Sequence, residues 1–234
     1  MKINLLGRSA AVMILLGLSL NGPGARAQVN AAAPGGMNAA LARLFGKVTA
    51  FTATVDARVI DPSQKDSVRM PMHFADLDGK MRIEIDLTQV QSKALSAQQL
   101  QAMEQAGLRT LVSIIRPDKK TSYILYPGVQ NYSVVPMPKT EAEALSKRLA
   151  IDTTALGRET VDGHRCVKNR VVVKDDAKVI LEATTWNATD LKNFPVRIET
   201  KDQGSTSILS FRQIQFERPD AKLFEVPDGY KENP

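Results

Sequence analysis

Long runs of strict alternation, separated by short turn signals, constrain this chain more than any other feature. Phe51, Ala53, Val55, Ala57 and Val59 alternate with Thr52, Thr54, Asp56 and Arg58. Successive side chains of a strand point to opposite faces, so such a run has one apolar face and one wet face. Val68, Met70, Met72 and Phe74 repeat the pattern with Pro71 among them. Proline lacks an N–H, which predicts an edge strand or a bulge at that point. Asp78-Gly79 is a two-residue hairpin signal, and Met81, Ile83, Ile85 and Leu87 alternate beyond it. Shorter runs follow at 111–116, 121–126 and 130–135, then four long ones at 165–173, 179–186, 194–201 and 206–217. Phe224-Glu225-Val226 is read as a last short edge strand. Turns this short require antiparallel neighbours.

Three segments have the helical period instead. Leu41, Leu44, Phe45 and Val48 form one apolar stripe after Asn38, a good N-cap residue, and the stripe must end near Ala50. Ser96 and Gln99 have capping-box spacing, with Leu100 and Met103 on the apolar side and Gly107 suited to the end. Thr140 and Glu143 repeat that spacing before Ala144, Leu145 and Leu149. Three such helices cannot form a core alone, whereas a sheet with one apolar face must cover it. The fold class expected is mainly β (α+β). It is a single curved antiparallel sheet of about ten or eleven strands, an open half-barrel or a nearly closed barrel, with two or three helices against the concave face.

Residues 1–27 read as a cleaved signal peptide. Lys2 and Arg8 precede an apolar run from Ala10 to Leu20, and Ala25-Arg26-Ala27 supplies small residues around a cleavage point before Gln28. An apolar run of about eleven residues falls short of the roughly twenty that span a bilayer. No cysteine sits near the cleavage point, which excludes lipoprotein-type anchoring. Residues 28–37 then form a flexible lead and 38–234 a single domain. The mature product is expected to be soluble, not membrane-anchored, and periplasmic. Lys2, Arg8 and Arg26 leave with the signal, so the formal charge of +6 falls by three. That mild excess, in that compartment, argues against a nucleic-acid partner.

The chemistry-bearing residues are few. Two histidines, His73 and His164, and a single Cys166 exclude most zinc sites and thiolate iron–sulfur clusters. His73 falls on the polar side of its strand, His164 follows the Asp162-Gly163 turn, and no G-x-S-x-G motif is present. The sequence therefore implies no catalytic residue, no metal and no cofactor. Cys166, in an alternating run, reads as buried packing, and Trp186 as a structural plug.

The C-terminal half resembles a known group. Gly157-Arg158-Glu159-Thr160-Val161-Asp162-Gly163-His164-Arg165-Cys166 is similar to a G-x-E-x-V-x-G-x-x-C/T hairpin. Trp186 to Leu191 followed by Phe194-Pro195-Val196-Arg197 is similar to its strand pair, and Leu223-Phe224-Glu225-Val226-Pro227-Asp228-Gly229-Tyr230 to its closing segment. These stretches, with the helix-to-strand passage at 38–59, resemble the LolA-like superfamily of periplasmic lipoprotein carriers, and its uncharacterised periplasmic members more than the carrier itself. The resemblance implies an unclosed antiparallel barrel with helices as a lid.

Two functions are compatible with this reading. In the first, a non-enzymatic periplasmic protein holds a lipid, a lipoprotein acyl chain or another apolar ligand in the half-barrel. The candidate binding residues are Met70, Met72, Ile83, Ile85, Leu100, Met103, Leu145 and Leu149; methionine's flexibility suits a surface that adapts to acyl chains. In the second, the protein's own side chains fill the core, and an edge strand or loop engages an envelope protein in an interaction or stress-sensing role.

Overall fold

The computed structural model describes residues 39–61, 67–92, 95–139, 149–176, 178–202 and 204–233. The signal peptide and flexible lead fall outside the described residues, as does the helix expected from Thr140, with Leu145 in it.

Among the described residues, twelve strands make one sheet. They are β1 (Ala50–Ile60), β2 (Ser67–Leu77), β3 (Lys80–Asp86), β4 (Thr110–Arg116), β5 (Thr121–Tyr126), β6 (Asn131–Pro136), β7 (Ala150–Val161), β8 (His164–Asp175), β9 (Lys178–Ala188), β10 (Phe194–Asp202), β11 (Ser205–Gln215) and β12 (Lys231–Glu232). Their order across the sheet is β12-β6-β5-β4-β3-β2-β1-β11-β10-β9-β8-β7. The sheet does not close, because β7 and β12 lie at opposite ends. Every pairing is antiparallel except β12 on β6. Turn chemistry explains much of this. At both Asp78-Gly79 and Asp162-Gly163 the two central residues take positive φ (54° and 82°, 48° and 85°), the twist that two-residue hairpins require.

The inner face is apolar and continuous. Phe51, Val55 and Ala57 on β1, Met70, Met72 and Phe74 on β2, and Met81, Ile83 and Ile85 on β3 join Val196, Ile198, Leu209 and Phe211 in one buried cluster. Register places these residues side by side: Val55 is opposite Met72 and Phe211, and Met72 is opposite Ile85. A smaller cluster on the outer face contains Ala75, Leu77, Val112, Ile114, Leu125 and Phe224.

Four expectations need correction. The twelve strands among the described residues agree with the about ten or eleven expected, but the last of them is Lys231–Glu232, not Phe224–Val226. Phe224 instead ends a 3-10 turn (Ala221–Phe224) and plugs the outer cluster. The N-terminal helix is shorter than its stripe. α1 (Ala39–Ala42) tightens into a 3-10 turn (Arg43–Phe45) and stops at Gly46, whose φ of 65° ends the helix before Val48. The second helix, α2 (Ala97–Gln105), has the full capping box at Ser96 and Gln99. Its residues are all at least partly exposed, so it is a flank rather than a buried cover. The four-residue α1 and the nine-residue α2 thus stand, among the described residues, where two or three helices were expected. Finally, Pro71 lies on an interior strand. It pairs with Asp56 of β1, but the β2–β3 ladder begins only at Met72, so no donor is missed on that side.

One close approach fixes α2. A Cβ on Gly128 would lie 2.2 Å from the carbonyl oxygen of Gly107, so the turn after β5 and the second residue after α2 meet backbone to backbone.

Candidate functional site

Most of the residues expected to contact an apolar ligand converge. Met70, Met72, Ile83 and Ile85 share the inner face and are 0–3% exposed. Met103 and Leu149 pack partly buried against the same cluster. Leu100 is half-buried on α2 and is not part of that cluster. Leu145 lies outside the described residues.

A residue named only as part of the helical stripe occupies the centre. Phe45 stands 4.9 Å from Phe51, 5.8 Å from Phe74, 5.6 Å from Phe194 and 5.6 Å from Phe211, measured between ring centroids. It stacks nearly parallel on Phe194 and meets Phe51 and Phe211 edge-on, the geometries that aromatic quadrupoles favour. Four strands, β1, β2, β10 and β11, supply the surrounding rings. Among the described residues the element that inserts Phe45 runs from Ala39 to Phe45, and Gly46 joins it to the sheet in a backbone region that side-chain-bearing residues avoid.

One carboxyl borders this apolar field. Asp76 is 4% exposed, and its cross-strand neighbours are Phe51 and Met81. Burial pushes its pKa up to about 7, against a hydrogen bond from the Gly79 backbone that acts the other way. The alternation of β2 marked position 76 as inward, but nothing in the sequence marked how deep it lies.

The remaining chemistry-bearing residues have structural settings. Cys166 is buried, donates weakly to the His164 carbonyl at 3.4 Å, and has its thiol pKa raised by burial. His164 Nδ1 lies 2.8 Å from Asp190 at the exposed turn. Trp186 is 5% exposed near the C-terminal end of β9. Its Nε1 donates to Glu159 at 2.9 Å, and Lys168 and Arg197 stand over the ring at 4.9 and 4.8 Å. That ring is gripped by its neighbours, as a plug would be. Among the described residues no group of three or more metal-ligating side chains comes together, and no helix is long and apolar enough to cross a membrane.

Two other surfaces stand out. The edge strand β7 is exposed along its whole length except at Val161, with Leu156 53% and Ile151 45% exposed. On the outer face, across β11, β1, β2 and β3, two adjoining cavities of about 630 and 240 Å³ share Thr54, His73 and Glu84.

Against known proteins, the family described as "Domain of unknown function (DUF4412)" matches residues 65–189, more than half of the chain. No curated protein matches. Among solved structures, the chain is similar to a LolA superfamily protein from Nitrosomonas europaea, at 10% identity over 78% of this chain and 93% of that one, with a TM-score of 0.40. It is similar to the Mycobacterium tuberculosis lipoprotein LppX, at 13% identity over 75% and 91%, with a TM-score of 0.38. It is also similar to the Pseudomonas aeruginosa MucA/MucB complex structure, at 12% identity over 80% and 59%, with a TM-score of 0.38.

Proposed function

The chain belongs to the DUF4412 family, and we propose that this member is an exported, non-enzymatic binding protein of the periplasm that takes an apolar ligand on its inner face. The observation that carries this reading is Phe45. A short helical segment hinged at Gly46 places one aromatic ring at the centre of a ring cluster contributed by four strands. That side chain behaves as an internal ligand. An acyl chain that replaced it would meet Phe51, Phe74, Phe194 and Phe211, with Met70 and Met72 beside them. Burial of each CH₂ would contribute about 0.8 kcal/mol. Displacing Phe45 would cost about 2–3 kcal/mol of its own burial, which a chain of several methylenes offsets. The export signal at 1–27 supports the compartment.

Replacing Phe45 by Leu tests it. A smaller side chain lowers the cost of displacement, so the variant should retain more lipid than the wild type when both are purified from a periplasm without detergent. Equal retention in both counts against the reading.

A second reading has its own observation. The inner-face residues are already close-packed, and among the described residues no strand pairs with the outer edge of β7. In that reading the core is self-filled, and an envelope protein adds a strand at β7.

A further inference from the structure

We propose that the outer-face groove is a binding site for a short neutral saccharide, independent of the inner face. The two cavities, about 630 and 240 Å³, run together over Thr54, His73 and Glu84. Arg212, Thr54, His73 and Glu84 are direct cross-strand neighbours, one from each of β11, β1, β2 and β3. Residues directly opposite on neighbouring strands stand about 5 Å apart, so the row is a ladder of polar side chains.

A β-bulge builds the second row. Between Thr52 and Thr54 the register with β11 slips by one residue, and Gln213 takes a φ of 49°. A positive φ at a residue with a side chain is strained and is kept where surrounding structure fixes it. Here it sets Gln213 beside Thr54 and Gln215 beside Thr52. The Thr52 hydroxyl donates to Gln215 Oε1 at 3.3 Å, and the Thr54 hydroxyl stands 3.3 Å from both Gln213 Oε1 and the Arg212 carbonyl oxygen. Each carboxamide thereby lies against a threonine hydroxyl at the groove, where its amide can both donate and accept.

Charge and backbone select the ligand class. Arg69 pairs with Asp56 at 2.8 Å, Arg82 with Glu84 at 2.9 Å and Arg212 with Asp162 at 2.9 Å. The guanidiniums are neutralised, so the groove has no net attraction for a phosphate or carboxylate. The floor strands β1 and β2 are paired on both sides, so a peptide's main chain would find no ladder to join. What the groove offers is planar, two-pronged side-chain groups at strand spacing. Adjacent hydroxyls on a sugar ring present paired donors and acceptors to such groups. Leu223 gives one wall an apolar surface for a ring's C–H face.

The test is an NMR titration of the protein purified from the periplasm, using two neutral trisaccharides, one N-acetylated and one a glucose trimer. The expected result is saturable shifts of the Gln213 and Gln215 side-chain amides with at least one of them. Gln213→Ala should weaken that binding about fivefold, the loss of one hydrogen bond, with Tm unchanged. Shifts absent with both sugars up to their solubility limits, or binding unaltered by both Gln213→Ala and Gln215→Ala, would overturn the proposal. So would saturable shifts of these amides with a polar tripeptide but not with the sugars.

Discussion

The Arg116 guanidinium donates to the main-chain oxygen of Phe224 at 3.0 Å, across 108 residues of sequence. The same side chain, 5% exposed, pairs with Asp118 at 2.7 Å and also with Glu225, which Lys119 reaches at 3.0 Å. Arg82 adds a bond to the Leu223 oxygen at 3.2 Å. Two arginines thus strap the C-terminal segment to the outer face, and Phe224 is the plug beneath the strap. The Asp118 carboxyl is held down to about 2 by Arg116, and the Glu225 carboxyl is held below its ordinary value by Lys119 and Arg116.

Removing the guanidinium leaves a buried carbonyl without its donor and Asp118 without its cation, while Glu225 keeps Lys119. Arg116→Ala should destabilise the fold by about 1–3 kcal/mol and expose the tail beyond Glu217 to protease before global unfolding. Phe224→Ala should cost about 3–5 kcal/mol through the cavity it leaves. Limited proteolysis with mass mapping, alongside thermal melts, checks both. A tail that resists protease in Arg116→Ala would show that the strap is not what holds it.

Asp76 gives the fold a pH dependence of definite sign. Its folded pKa, about 7, lies above the unfolded value near 3.8. Below about pH 4 the carboxyl is neutral in both states and carries no penalty. As pH rises towards 7 the unfolded chain releases the proton first, so stability falls, by up to about 4 kcal/mol at roughly 1.4 kcal/mol per unit. Asp76→Asn should remove this slope. The variant should be more stable than the wild type at pH 8, and the advantage should disappear by pH 4. Parallel urea titrations at the two pH values measure it, and an advantage of equal size at both would contradict the assignment.

The backbone contact between Gly107 and Gly128 leaves no room for a methyl group. Gly128→Ala should force the turn after β5 away from α2 and cost about 2 kcal/mol. Thermal melts check the cost, and faster amide exchange in α2 should accompany it, with the inner-face strands unaffected.

The edge strand should respond differently. Leu156→Lys and Ile151→Lys alter exposed side chains and should change stability by less than about 0.5 kcal/mol. If an envelope protein docks at β7, the same changes should abolish its co-purification, because a charge on the edge opposes strand addition. Continued co-purification with both variants would place the contact elsewhere.

How much of this was legible from sequence depends on the length scale of the signal. The sheet was legible because alternation and Asp-Gly turns are local, and the capping box at Ser96 and Gln99 fixed α2 for the same reason. The tail was misread because Phe224-Glu225-Val226 alternates like a strand. Arg116, 108 residues away, is what turns it into a plug. Four of the inner-face residues were found by parity alone, since Met70, Met72, Ile83 and Ile85 fall on the apolar phase of their strands. Phe45 was visible only as one member of a stripe. Its central place follows from four strands that bring Phe51, Phe74, Phe194 and Phe211 around it. The groove was hidden for a related reason. Its rows are made of pairings between β11 and β1, some 160 residues apart, and of a bulge that no local motif announces.

The most direct test of the inner-face account is native mass spectrometry of the protein purified from a periplasm without detergent, followed by solvent extraction. Wild type and Phe45→Leu are compared before and after incubation with phospholipid. The account predicts a stoichiometric added mass that extracts as lipid or acyl peptide, with greater occupancy in Phe45→Leu. A bare mass in both proteins, unchanged by incubation, would contradict it and leave the Phe45 cluster as ordinary core.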